Sequence, residues 1–163
     1  MEKFLSPGNR LGRLPLGAAL LLSVILSACA SDQGTGGVGQ PITAGDYVLT
    51  VTAMDNPAQS PDRFTNPKTG NRFVKFDFTM SNRGNLVLPV WASYFTLRSS
   101  GGSDNRVRTD VSGEQYLKQR VVQPGGSTQA TIYFEMAANE RPERLIFAPA
   151  IAGWRTEIAV NLS

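Results

Sequence analysis

The chain has 163 residues, 41% of them hydrophobic and 18% charged, which suits one folded domain and argues against wholesale disorder. It holds no histidine and one cysteine, Cys29, so imidazole bases, His-ligated zinc or haem, Ser-His-Asp triads, thiolate–histidine pairs and internal disulfides are excluded. The formal net charge of +3 is carried largely by Lys3, Arg10 and Arg13 at the front of the chain, and the near-neutral remainder gives no reason to expect nucleic acid as a partner.

Those three basic residues, set against Glu2 alone, precede an apolar run of 13 residues from Leu14 to Leu26, LPLGAALLLSVIL. A permanent membrane span needs about 20 apolar residues, so the run is short for one and suits the core of an export signal. It ends in Leu26-Ser27-Ala28-Cys29, which resembles the bacterial lipobox at all four positions. The resemblance implies a diacylglyceryl group on the Cys29 thiol, cleavage between Ala28 and Cys29, and a new amino terminus open to further acylation. The plainer alternative is an ordinary secretory signal cut after small residues. Each buried acyl methylene contributes about 0.8 kcal/mol, so one chain binds marginally and two or three anchor stably. Ala30, where inner-membrane retention would use Asp, implies the outer membrane if the organism has one.

After Cys29 the chain is rich in glycine, and Gly34 to Gly39 formally matches G-x-G-x-x-G. A dinucleotide site would need a preceding strand and a following helix, and the surroundings suggest neither. The segment reads as a flexible tether that lets a domain stand off the membrane. The predicted organisation is therefore a signal peptide over 1–28, a lipidated cysteine and tether over 29–45, and a folded domain over 46–163.

From Tyr47 onward the hydrophobic period is two. Tyr47, Leu49 and Val51 share a face, with Thr50 and Thr52 opposite. Val74, Phe76, Phe78 and Met80 alternate with Lys75, Asp77 and Thr79. Ala130, Ile132, Phe134 and Met136 alternate with Gln129, Thr131, Tyr133 and Glu135, and Ile158, Val160 and Leu162 close the series. Shorter candidates cover Leu86 to Val90, Tyr94 to Arg98, Leu117 to Val122 and Arg144 to Phe147, which makes about eight strands. Turn residues at Asn82–Asn85, Gly101-Gly102 and Pro124–Gly126 separate them. Clean alternation points to an all-β, antiparallel sandwich of the immunoglobulin-like kind with 7–8 strands, lacking the inter-sheet disulfide.

Phe73 to Met80 followed by Ser81-Asn82-Arg83-Gly84, the aromatic strand Tyr94-Phe95-Thr96-Leu97, and Gln123-Pro124-Gly125-Gly126 ahead of Thr128 to Glu135 together resemble the bacterial domain of unknown function 4352. The resemblance covers about Asp46 to Leu162. It implies an immunoglobulin-like fold on exported or lipid-anchored proteins, without an agreed activity. Gly126 departs from the acidic residue that often follows the Pro-Gly turn in that family.

Loops are where a sandwich carries function. Ser99 to Arg120 is long enough for a contact surface using Arg106, Arg108 and Tyr116, or it is a solvated connection of mixed charge. Trp91, beside Tyr94, would stack on a sugar or anchor a partner if exposed; more simply, it and Trp154 plug the ends of the core. Asp55 and Asp62 do not have calcium-loop spacing. Asp77, Asp110, Glu114 and Glu135 are the carboxylates that a glycosidase would have to pair, and no Ser-x-x-Lys occurs. The expectation is a non-enzymatic binding or interaction module of the cell envelope. It has no cofactor or metal, is held to the membrane through Cys29, and takes an envelope protein, glycan or small ligand. A structural lipoprotein that stabilises a membrane complex is the alternative, and a histidine-free hydrolase stands last.

Overall fold

The computed structural model describes residues 32–151 and 155–162, so the leader, Cys29 and Trp154 lie outside the described residues. Eleven strands follow in order: β1 (Asp32–Gly37), β2 (Ile42–Ala44), β3 (Tyr47–Ala58), β4 (Asn71–Asn82), β5 (Leu88–Trp91), β6 (Phe95–Ser99), β7 (Asp104–Arg106), β8 (Gln119–Val122), β9 (Ser127–Ala137), β10 (Pro142–Phe147) and β11 (Thr156–Asn161). One 3-10 turn, Ala92–Tyr94, joins β5 to β6. The strands form a five-stranded sheet ordered β1-β11-β10-β6-β7, a four-stranded sheet ordered β2-β3-β4-β9, and a β5-β8 ribbon.

The alternation read from the sequence is what faces the two large sheets together. Tyr47, Leu49 and Val51 of β3, Val74, Phe76, Phe78 and Met80 of β4, and Ala130, Ile132, Phe134 and Met136 of β9 are buried in one core with Phe95, Leu97, Leu145, Phe147, Ile158 and Val160 of the opposing sheet. A one-residue slip in any of these strands would turn its whole apolar set to solvent, so the register is fixed by burial. Phe147 lies at the centre, with ring centroids of Phe95 at 4.9 Å, Tyr47 at 5.0 Å and Tyr94 at 6.1 Å.

The ribbon is tied to one end of this core by two side chains. The Tyr47 hydroxyl donates to the Pro89 carbonyl at 3.0 Å, and burial pushes its acidity well below that of an ordinary tyrosine. Asn82, buried at the end of β4, donates through Nδ2 to the carbonyls of Leu86 at 2.6 Å and Val122 at 2.9 Å, while its Oδ1 accepts the Gly84 N–H at 2.9 Å. Asn82 is thus a buried hydrogen-bond hub that holds the chain leading into β5 and the end of β8.

Three expectations need correction. The tether assigned to 29–45 is largely part of the sandwich: β1 runs parallel to β11, with Asp32 opposite Thr156 and Gly37 opposite Asn161, and β2 pairs with β3. Its glycines serve close approach. A Cβ on Gly34 would overlap the Thr43 carbonyl and lie 2.8 Å from Ile42 Cγ2, and one on Gly36 would lie 2.8 Å from Ile42 Cγ1. Composition alone reads such residues as flexibility, whereas here the missing side chain is what lets β1 cross over β2.

The second correction concerns Tyr133, which alternation placed outward and which is buried. The segment between β7 and β8 lies along the free edge of β9. Arg108 N–H donates to Tyr133 O at 2.8 Å, Leu117 N–H to Thr131 O at 2.9 Å, and Thr131 N–H to Gln115 O at 2.8 Å. The stretch expected to be a loop covers, with its backbone, a sheet edge that would otherwise present unpaired groups, while most of its side chains stay exposed. Third, the strand count is higher than expected, because β1, β2 and β7 are too short or too glycine-rich to show a period. Among the described residues no helix is long and apolar enough to cross a membrane.

Candidate functional site

The residues singled out from the sequence fall into separate groups on the surface. Trp91 and Tyr94 stack, with ring centroids 5.1 Å apart and planes 18° from parallel. Tyr94 is the buried member, and Trp91 lies 38% exposed beside Gln119, its cross-strand partner. Arg106, exposed on β7, borders a shallow hollow with Ser93, Thr96 and Thr109. Arg108 and Tyr116 lie on the β9 edge instead.

Arg108 is held there by two carboxylates. It pairs with Asp110 through Nε at 2.8 Å and with the largely buried Glu135, and its guanidinium lies 5.6 Å from the Phe73 ring centroid. Glu135 also accepts the Lys68 N–H and the Asn71 amide, both at 2.8 Å. Tyr116 packs edge-on against Tyr133 at 5.6 Å. These contacts hold the covering segment on the sheet and commit three of the five Arg108 N–H donors to Asp110 and Glu135.

The electrostatics give that latch a pH dependence. Burial alone would raise the Glu135 carboxyl, but Asn71, the Lys68 N–H and Arg108 together bring it below its ordinary value; Asp110 is lowered chiefly by its bond to Arg108. Both carboxyls are depressed in the folded state, so their contribution is fully present above the unfolded value of about 4.3 and is lost as pH falls through the folded values. Protection of the Arg108, Leu117 and Thr131 amides, measured against the intrinsic exchange rate at each pH, is expected to fall below about pH 4, before the core amides respond. Glu135→Gln should already cost roughly 1–2 kcal/mol of that protection at neutral pH and flatten the profile. Unchanged exchange in the variant would show that the latch does not hold the segment.

The carboxylates considered for catalysis or metal binding are each paired with a cation or a backbone donor, or stand apart. Asp55 and Asp77 share Lys75 Nζ at 2.7 and 3.3 Å. Asp62 closes a local turn on the Phe64 and Thr65 N–H groups, both at 2.7 Å, and these bonds hold its carboxyl below the usual range. Among the described residues no three acidic or cysteine side chains cluster as metal ligands.

A feature that no local pattern signalled is a cavity of about 600 Å³ at the end of the sandwich away from Asp32. Arg98, Arg141 and Arg144 line it together with Glu143, Asn56, Asn161 and Met54. Its position follows from the register: Asn161 pairs with Gly37, the last residue of β1, and Pro142 with Ser99 at the end of β6. Arg98 is held by Asp104 at 2.9 and 3.0 Å, whereas Arg141 and Arg144 are exposed at the start of β10. Bringing together residues from positions 54 to 162 takes the folded topology, which is why sequence spacing gave no sign of it.

No curated protein matches the chain in sequence. Among solved structures, the yjhA protein of Bacillus subtilis is similar at 15% identity, covering 78% of this chain and 99% of that one with a TM-score of 0.59. MPT63, described as a secreted protein from Mycobacterium tuberculosis, is similar at 17% identity over 78% of this chain and 95% of its own, with a TM-score of 0.57. A Bacillus subtilis protein titled "putative lipoprotein (ycdA)" is similar at 13% identity over 71% of this chain and 36% of that one, with a TM-score of 0.55. At such identities the likeness concerns the β-sandwich fold alone. The family described as "Domain of unknown function (DUF4352)" matches residues 36–157, from within β1 to within β11 and well over half of the chain, and the protein belongs to that family.

Proposed function

We propose that the protein is a lipid-anchored interaction module of the bacterial cell envelope, held by acyl chains on Cys29 and presenting its far end, with the Arg98–Arg141–Arg144 cavity, to an envelope protein, glycan or small ligand. The observation that carries this reading is Leu26-Ser27-Ala28-Cys29 at the end of a short apolar run, only three positions ahead of Asp32, which already pairs within the sandwich. A mature chain cut before Cys29 would enter the fold almost at once. Two fold neighbours, one described as a secreted protein and one as a "putative lipoprotein", support an extracytoplasmic setting. Binding is favoured over catalysis because neighbouring carboxylates share a cation, Lys75 or Arg108, where hydrolysis needs them to face each other across a cleft.

The test is mass spectrometry of membrane and soluble fractions from cells expressing the wild type and Cys29→Ser. The wild type is expected in the membrane fraction, starting at Cys29 with a diacylglyceryl mass. The variant should lose that mass and the membrane association together, since no second acylated residue replaces it. A wild type recovered soluble with an unmodified thiol would sink the reading and make the domain a freely secreted one.

A further inference from the structure

The two ends of the sandwich differ in what they expose. At the end where β1 begins, a continuous set of contacts leads from Asp32 to the turn between β4 and β5. Gly45 packs so closely that a Cβ there would lie 3.2 Å from Asp32 Oδ2 and 3.5 Å from Thr156 Oγ1. The next residue, Asp46, accepts the Arg83 N–H at 3.0 Å, and its side chain closes against Gly84. Asn82 then holds the Leu86 carbonyl. At the tip, Leu86 and Val87 are 58% and 47% exposed, and the adjoining ribbon exposes Trp91 and, at 61%, Val121. Four of the six large apolar side chains exposed among the described residues are therefore gathered here, the others being Val38 and Phe64.

The length of chain before the fold decides what covers this patch. Two residues, Ala30 and Ser31, separate Cys29 from Asp32, and the three steps of about 3.8 Å between successive Cα atoms span at most roughly 11 Å. The headgroup layer on each side of a bilayer is about 5–8 Å deep. A diacylated Cys29 thus keeps Asp32, and the end of the sandwich joined to it, against the lipid surface.

We propose that this end is a membrane-docking face: Leu86 and Val87 enter the interfacial layer beside the anchor, with Trp91 at headgroup level, where amphipathic rings are favoured. The proposal rests on the lipidation of Cys29. The flanking charges are Arg83, Lys118, Arg120 and Arg155 against Asp32 and Asp46. This small basic excess adds some attraction to anionic lipid, and the apolar contact of Leu86, Val87 and Trp91 is the part that persists in high salt. The Arg98–Arg141–Arg144 cavity at the opposite end then points away from the bilayer.

The test uses the full lipidated chain, purified from membranes and reconstituted into phosphatidylethanolamine–phosphatidylglycerol vesicles. An environment-sensitive thiol dye is placed at Val87→Cys or, at the far end, at Ser103→Cys; a thioether at Cys29 does not react with it. Expected are a blue-shifted emission at position 87, several-fold stronger quenching by brominated lipid than at position 103, and no reversal in high salt. Equal, water-like emission at both positions overturns the proposal. A blue shift at 87 without lipid quenching overturns it too, and assigns the face to a protein or to a second copy of the chain. Dye reacting with Cys29 in the wild type, with the protein failing to stay on vesicles, instead marks failure of the anchor reading and removes both.

Discussion

Asn82→Asp is expected to bring the domain close to unfolding at neutral pH, although the two side chains have nearly the same shape. Asn82, only 2% exposed, uses both amide hydrogens on the Leu86 and Val122 carbonyls and its oxygen on the Gly84 N–H. The substitution sets a charged acceptor against two carbonyl oxygens. Leaving the buried Val122 carbonyl unpaired costs about 1–3 kcal/mol, loss of the part-buried Leu86 bond about 1 kcal/mol, and the buried charge adds to both. The expected loss is roughly 4 kcal/mol or more, a large part of the 5–15 kcal/mol that holds a typical domain. Asn82→Ala, which removes the donors without adding charge, should cost about 3 kcal/mol. The pH dependence separates the two variants. Burial raises the introduced carboxyl above its unfolded value of about 3.9, so the variant is worst above its folded value and recovers in part as acid protonates it. Urea unfolding followed by circular dichroism at several pH values checks this, and a loss under about 1 kcal/mol would show that the hub is dispensable.

Phe147→Ala is expected to be as damaging for a different reason. The ring fills the meeting point of the two sheets against Tyr47, Tyr94 and Phe95, and none of these neighbours can close the space without leaving its own partners. Truncation of a buried phenylalanine costs about 3–5 kcal/mol, transfer and cavity together. For a domain of this size that corresponds to a fall in Tm of roughly 10–20 °C. Phe64→Ala is the control: that ring is 78% exposed, so its loss should stay within about 0.5 kcal/mol. Equal effects of the two substitutions in thermal unfolding would mean that the core is assigned to the wrong residues.

How far the fold could be read from the sequence depended on how local the cause of each feature is. The faces of β3, β4 and β9 follow from alternation, because every second side chain meets the same core. Tyr133 broke the pattern because its cover comes from residues 107–117, and periodicity carries no information about what lies over a face. Gly34 and Gly36 were misread because composition cannot tell a glycine that moves from one whose missing side chain makes room for Thr43 and Ile42. Of the candidate contact residues, Trp91 could be flagged by type, and its exposure is set by the ribbon it stands on. Arg108 looked available because its charge is visible in the sequence, whereas Glu135, which engages it, lies 27 positions away. The cavity lined by Arg98, Arg141 and Arg144 had no local signature at all.

The pairing of β1 with β11 bears on when the chain can fold. The first described strand lies beside the one that follows every other strand in the sequence, and β11 also separates β1 from β10. Closing that pair joins residues at the far ends of the domain, a contact of very high sequence separation and correspondingly slow to form. Until Thr156–Asn161 is available, β1 has no partner strand in its sheet and β10 lacks the neighbour on its β1 side. A nascent chain therefore completes this sheet only when nearly all of the domain has been made, while the β2-β3-β4-β9 sheet needs nothing beyond Ala137.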